Sequence, residues 1–354
     1  MICAVEDLPP ALAGSASAEE KDHIARIKSR GMLPFAVTAH FASLARPERD
    51  DPIRRQFFPD PREAVPDPFG LGDPLGESLH RAAPLLVHQY RDRALLLAAR
   101  ACFGYCRHCF RRAWISSREP GCHDARLGSD GLREELAYLS ARPEIREVLV
   151  SGGDPLTLGN ASLRDLFRDL RSARPDVALR ICSRAPITEP SMLDGETAAL
   201  FAEFRPLRLS VHVNHPRELS EQSRAALAAC AQAGIPMLAQ TVLLRGVNDE
   251  PALLAALFRD CAALGLAPYY LFQLDLAPGT AHFRVPLKRA LAIHCELRAA
   301  LPEAILPAFA VDLPGGGGKI RLRDGAIAGE RISGKGAEYV LKDKNGAEWF
   351  YPAE

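Results

Sequence analysis

The chain has 354 residues, 47% hydrophobic and 25% charged, a globular composition with enough apolar material for a large core. Lysine plus arginine and aspartate plus glutamate each number 44, so there is neither a basic field for nucleic acid nor an acidic tail. Apolar runs such as Ala94–Ala99 are too short to cross a bilayer, and Met1–Asp7 has no basic segment followed by an apolar stretch; a cytoplasmic, reducing location without membrane partners is expected.

In chain order, Ala18–Arg30 reads as a helix with Ser17 as N-cap. A stretch rich in Pro, Asp and Gly follows, from Arg46 to Glu77, and reads as a meandering segment packed on the main body. From about 93 to 300, apolar runs alternate with amphipathic stretches. The strand candidates are Ala94–Ala99, Glu147–Ser151, Ala178–Ser183, Leu207–Val213, Met237–Leu243 and Tyr269–Leu276. Helical stretches lie between and after them, such as Leu132–Ser140, Leu163–Ser172, Pro216–Ala233, Pro251–Leu264 and Leu287–Ala300. This alternation predicts an α/β fold of parallel strands with crossover helices. Six such units suit a partial (β/α)6 barrel with its site at the C-terminal strand ends; an open doubly wound sheet is the alternative. The tail adds a strand, Ile305–Leu313, and a β-hairpin, Glu338–Leu341 and Glu348–Tyr351 around Asn345-Gly346. The expected organisation is an extension over 1–85, the barrel over 86–300, and a small β-containing segment over 301–354.

The chemistry concentrates after these strands. Cys102, Cys106 and Cys109 sit on one short loop with no fourth cysteine among them. Three thiolates can hold a [4Fe–4S] cube by three irons, leaving the fourth open to a small molecule, whereas a closed cluster takes four cysteines. Zinc is the competing reading, with Cys122 or His123 as fourth ligand. A disulfide framework is disfavoured by the odd cysteine count and chain length. Gly152 and Gly153 follow a strand directly, where two backbone N–H groups could meet a carboxylate or phosphate. Gly315–Gly318 precede Lys319; such a loop can wrap a planar or phosphorylated ligand while the lysine, whose amine forms imines with carbonyl cofactors, reaches inward.

Several motifs in one order carry a resemblance. They are Asp51–Phe57, His88–Arg93, the cysteine loop, Val150–Leu156, Ser183–Pro186, His212–Pro216, Gln240–Asp249 and Asp312–Lys319. Over most of its length the chain resembles the lysine 2,3-aminomutases, which are radical S-adenosylmethionine enzymes, and the zinc reading recedes. The resemblance implies a radical-SAM partial barrel and an isomerase moving the amino group of L-lysine to the neighbouring carbon to give β-lysine. It implies Cys102, Cys106 and Cys109 on a [4Fe–4S] cluster, with S-adenosyl-L-methionine on the open iron near Gly152, Gly153, Asp154, His212 and Gln240. It implies pyridoxal 5′-phosphate held covalently by Lys319, with Tyr90 and Arg93 beside it. Arg111 matches the residue that takes the substrate α-carboxylate; Asp275 and Asp312 match those that take its far ammonium. The last pair also has a physical reason, since a buried cationic side chain needs compensating charge. An electron donor such as flavodoxin or ferredoxin is implied, and a homo-oligomer is compatible.

The sequence also departs from the family pattern. The best-known members carry an intersubunit zinc, using a cysteine soon after the Gly-Val-Asn-Asp motif and others in a C-terminal extension. Here Glu250 follows Asp249 and the chain stops at Glu354, so no structural zinc is expected. Alternatives are an elongation factor P-type β-lysine-forming enzyme, an aminomutase for another amino acid such as arginine, or, from another class, a non-catalytic metal-binding module.

Overall fold

Ten strands line up in the order in which the chain makes them. The first are β1 (Arg81–Ala83), β2 (Leu86–Tyr90), β3 (Arg93–Ala99), β4 (Glu147–Gly152) and β5 (Ala178–Ser183). They continue as β6 (Leu207–His212), β7 (Met237–Val242), β8 (Leu266–Phe272), β9 (Ala308–Leu313) and β10 (Gly318–Arg321). The pairs from β3 to β9 are all parallel; β1–β2, β2–β3 and β9–β10 are antiparallel. This computed structural model describes residues 1–29, 32–116 and 131–354; Arg30 of the expected first helix, and Cys122 and His123, lie outside them.

The pleat sends alternate residues to opposite faces. In β4, Val148 and Val150 are buried against the helical layer while Leu149 and Ser151 face a central cavity. In β6, Leu209 and Val211 pack outward while Ser210 and His212 face inward. Side chains of every strand from β2 to β10 line that one cavity, so the sheet curls around it. Its edges, β1 and β10, remain unjoined. The fold is therefore an α/β partial barrel, the architecture that the resemblance implies. One sheet spans Arg81 to Arg321, across both positions, 86 and 301, at which the sequence reading divides the chain.

The outer helices dock by a single apolar stripe. Gly159–Ala173 buries Leu163, Leu166, Phe167 and Leu170, the i, i+3, i+4, i+7 set of one helix face. Each such side chain contributes about 1.5–3 kcal/mol by leaving water. The N-terminal helix is Ala18–Ser29. Its start is a reciprocal cap: the Ser17 hydroxyl accepts from the Glu20 N–H at 3.2 Å, and the Ser17 N–H donates to the Glu20 carboxylate at 2.9 Å.

The sequence reading and the structure part in three places. β8 runs Leu266–Phe272, not Tyr269–Leu276. The apolar pattern continues past its end, but the Ala277 N–H turns back to the Asp275 carbonyl at 2.9 Å, so Asp275 stands on a loop beyond the strand. β1 and β2 are short antiparallel additions between the irregular stretch, which ends at Glu77, and the first expected strand. In the tail, β11 (Ile327–Ser333), β12 (Gly336–Lys342) and β13 (Glu348–Pro352) form a separate antiparallel sheet. The expected hairpin is β12–β13, its turn held by Asp343 accepting from the Asn345 and Ala347 N–H groups at 2.8 and 2.9 Å. β11, mostly exposed, has no alternating apolar pattern that would reveal it. Tyr351 docks this sheet on the barrel, its hydroxyl donating to the Leu274 carbonyl at 2.6 Å. Among the described residues no helix is long and apolar enough to cross a membrane.

Candidate active site

The central cavity encloses about 490 Å³, within the usual range of small-molecule sites. Every residue to which the resemblance gives a site role lines it: Tyr90, Arg93, the three cysteines, Arg111, Gly152, Gly153, Asp154, His212, Gln240, Asp275, Asp312 and Lys319.

The cysteine loop leaves β3 and folds over the barrel end. Its first turn is fixed by glycine: Gly104 has φ +141° and pairs with Val37, and the Tyr105 N–H donates to the Ala36 carbonyl at 3.0 Å. Arg107 then plunges into the N-terminal extension and is fully buried. It pairs with Glu63 at 2.8 and 2.5 Å and donates to the Pro34 carbonyl at 2.8 Å. Arg112 reaches the same Glu63 carboxylate at 2.6 Å. Burial alone would raise the Glu63 pKa, but Arg107 and then Arg112 win and hold it at about 2.

The three thiols are close enough to influence one another. Burial pushes Cys102 well up, helped by Asp154, Cys109 and Cys106; burial and Cys106 push Cys109 to about 12. Among the described residues no three His, Cys, Asp or Glu side chains gather tightly enough for one metal ion. A single zinc would require that convergence, with every ligand within about 2.3 Å of one centre. A cube takes each cysteine on a different iron, so spaced thiols on one cavity wall suit a cluster. Arg184, whose Nη1 lies 2.7 Å from Cys106 Sγ, supplies positive charge for thiolates.

Gly152 and Gly153 have a different use from the one expected. A Cβ on Gly152 would lie 2.1 Å from the Ala99 carbonyl oxygen, and one on Gly153 2.2 Å from that of Ala101. The Gly153 N–H is spent on the Ala99 carbonyl. The diglycine lets the cysteine loop press against the end of β4. Asp154 is likewise committed within the protein: its carboxylate accepts from the Ser183 hydroxyl at 2.8 Å and from the N–H groups of Leu156, Arg184 and Ala185 at 3.1, 2.8 and 3.0 Å. It ties β4 to β5, and its carboxylate has little left for a ligand. Gln240 accepts from the Ser210 hydroxyl at 2.5 Å. His212 contacts Asn214 at 3.1 Å, and burial followed by Arg184 lowers its pKa to about 3, so the ring is neutral at physiological pH.

At the far wall, β9 and β10 pair antiparallel with Asp312 directly opposite Lys319. The Lys319 Nζ lies 2.6 Å from Asp312 Oδ2 and 3.9 Å from the Phe272 ring centroid, a cation above an aromatic face. The backbone N–H of Lys319 donates to the Tyr90 hydroxyl at 2.8 Å; burial and then Asp312 raise that phenol's pKa to about 12. The guanidinium of Arg93 lies 4.9 Å from the Tyr90 ring centroid. The glycine run is a tight hairpin connection. Gly315, Gly316 and Gly318 have positive φ, and a Cβ on Gly317 would lie 2.7 Å from the Trp349 ring. A lysine presented over aromatic rings, with a phenol and an arginine beside it, fits a phosphorylated aromatic aldehyde. Asp275 faces the same space; burial, then Asp312, raises its pKa well above the usual carboxylate range, with Lys319 and Arg111 opposing.

Arg111 also lies on the cavity wall. Its guanidinium is gripped by Glu77 at 2.7–3.0 Å. Glu77, Ser151, Arg184 and Gln56 are site residues the sequence reading gave no role. Arg184 and Gln56 lie within motifs that had been noted; Glu77 closes a stretch read as filler.

A Radical SAM superfamily model matches residues 96–258. A Treponema pallidum protein named "Putative L-lysine 2,3-aminomutase" is 45% identical over 284 residues, 80% of this chain and 79% of that protein. The L-lysine 2,3-aminomutase of Fusobacterium nucleatum is 36% identical, covering 86% of this chain and 70% of its own. The glutamate 2,3-aminomutase of Clostridioides difficile is 30% identical over 91% of this chain and 74% of its own. The non-catalytic alternative falls: the chain is an isomerase whose cofactors are a [4Fe–4S] cluster, S-adenosylmethionine and pyridoxal phosphate, and it belongs to the lysine 2,3-aminomutase family.

Proposed function

We propose that the substrate of this radical-SAM aminomutase is L-lysine and the product β-lysine. The observation that carries this reading is that Asp275 and Asp312 line one cavity with Arg111 and Lys319, near enough that Asp312 raises the pKa of Asp275. Two crowded carboxylates are costly in a dry pocket unless a cation joins them. Lysine brings an ammonium for them and a carboxylate for Arg111. A glutamate side chain would bring a further carboxylate to the corner, and like charges repel.

In this reading Cys102, Cys106 and Cys109 hold the cluster, with Arg184 beside Cys106. Positions 152–154, 212 and 240 form the wall against the nucleoside. When bound, the cluster with S-adenosylmethionine supplies a hydrogen-abstracting carbon radical, and pyridoxal phosphate supplies a conjugated carrier across which nitrogen moves between adjacent carbons. The chain's own residues orient and shield. Arg111 fixes the α-carboxylate by charge-assisted hydrogen bonds. Lys319 holds pyridoxal phosphate between substrate visits, and its ammonium is the present partner of Asp312. Asp312, with Asp275 on the same cavity wall, would meet the substrate's far ammonium. Tyr90 steadies the β10 backbone, and Arg93 offers a guanidinium to phosphate. The apolar walls, including Leu149, Val242 and Phe272, limit water around the reacting carbons.

The test is anaerobic reconstitution with iron, sulfide, S-adenosylmethionine, pyridoxal phosphate and a reductant, then L-lysine, L-arginine or L-glutamate. β-Lysine identified by mass spectrometry is expected from lysine alone. Turnover of glutamate or arginine in preference to lysine would overturn the reading.

A further inference from the structure

Arg111 does not face the cavity alone. Glu77 accepts from its Nε at 3.0 Å through both carboxylate oxygens and from Nη2 at 2.7 Å. One edge of the guanidinium is thus taken. On the other edge, formed by Nη1 and the second hydrogen of Nη2, Nη1 lies 3.3 Å from the Ser151 hydroxyl. A guanidinium carries five N–H donors in a planar fork, so a carboxylate on one edge leaves room for a second. Ser151 accepts from Nη1 and keeps its own O–H to donate.

Glu77 is itself held firmly. Asp73 caps its short turn, accepting from the N–H groups of Glu77 and Ser78 at 3.0 and 2.8 Å. Gly76, at φ +63°, packs so closely on the glycine hairpin that a Cβ there would lie 2.6 Å from Gly316 Cα. The Gly315 N–H donates to the Pro74 carbonyl at 2.8 Å. The segment 73–77 therefore ties the arginine to the hairpin that carries Lys319. An exchangeable counter-ion would not need such bracing; a carboxylate that sets another side chain's direction does.

We propose that Glu77 is a positioning residue: it grips Arg111 by the Nε–Nη2 edge and so presents the Nη1–Nη2 edge, with the Ser151 hydroxyl beside it, to the substrate's α-carboxylate. Glu77 stays in place when substrate binds, and Ser151 becomes a second donor to the same carboxylate. The rival reading has Glu77 as an internal competitor that the substrate displaces. This inference rests on Arg111 as the carboxylate site but not on lysine as the substrate.

The experiment uses the fully reconstituted enzyme and whichever α-amino acid the wild type turns over, compared with the amine it gives on decarboxylation (cadaverine, for lysine). Binding is measured by calorimetry and kinetics by product formation, with cluster and pyridoxal absorbance as checks on integrity. In Glu77→Gln the amino acid should bind about tenfold or more weaker, the magnitude of one charge-assisted hydrogen bond. KM should rise more than kcat falls, while the amine's affinity is unchanged. Ser151→Ala should show the same selective loss at about threefold, fitting a neutral donor. Should Glu77→Gln lose its cofactors, Glu77→Asp carries the same comparison. Tighter binding of the amino acid in the Glu77 variants, or equal losses for acid and amine, overturns the proposal. Turnover of an amino acid other than lysine would sink the substrate reading while leaving this comparison intact.

Discussion

The two ends of the cavity are built on opposite principles. Beneath the cysteine loop most polar groups are paired within the protein. Glu63 serves Arg107 and Arg112, while Gln56 accepts from Arg184 and donates to Glu218 at 2.6 and 2.7 Å. At the other end, Asp312 has its bond to a lysine meant for another partner, and Asp275 stands close with its pKa raised. Dense networks of paired charges hold a loop still. Pairs that can exchange partners leave room for ligands. The difference separates residues that shape the site from those expected to act in it, although both sets are charged.

Lys319→Ala should break the exchangeable end most severely. Amino migration and the visible absorbance of bound pyridoxal phosphate should both vanish while the cluster absorbance remains. Loss of the cluster as well would merge the two ends into one unit. Glu63→Gln tests the closed end: it strands two buried guanidinium groups, and chemical denaturation should report about 3–5 kcal/mol of lost stability. The same variant sharpens the contrast through pH. Glu63 has its folded pKa depressed from 4.5 to about 2; its stabilisation is full above about 4.5 and drains away as the pH falls towards about 2. The wild type should therefore lose stability across that window more steeply than the variant. Asp312→Asn comes next, raising KM for lysine by about ten- to a hundredfold, the worth of a hydrogen bond to a charge, with melting temperature little changed. A melting shift as large as that of Glu63→Gln would erase the distinction. Gly317→Ala should be smallest, costing about 1–3 kcal/mol by overpacking because its methyl meets Trp349 and Leu313, with a modest loss of pyridoxal phosphate affinity.

Much of this was legible in the sequence. The parallel strands announce themselves by short apolar runs, since both faces are covered; Ala178–Ser183 agrees to the residue. The cavity set was legible because its chemistry is local to motifs: three cysteines on one loop, a lysine after glycines. What stayed hidden depends on distant pairing. Glu77 meets Arg111 across 34 positions, and nothing around a glutamate in a Pro- and Gly-rich stretch marks its partner. Gly152 and Gly153 suggested a ligand, yet their neighbours are the carbonyls of Ala99 and Ala101, a backbone contact that only the folded loop creates. The end of β8 misled because Leu274 and Leu276 extend the apolar pattern through a turn that packs into the core.

Because the strands add to the sheet in the order of synthesis, a ribosome releases the iron-binding half long before the amine-bearing hairpin. The floor that Gln56 and Glu63 provide precedes the thiols it supports, and the last strand of the barrel delivers Lys319. A nascent chain shorter than β10 exposes the unpaired rim of β9 and lacks Lys319. The order of synthesis is thus cysteine loop first and lysine-bearing hairpin last, with one sheet joining them.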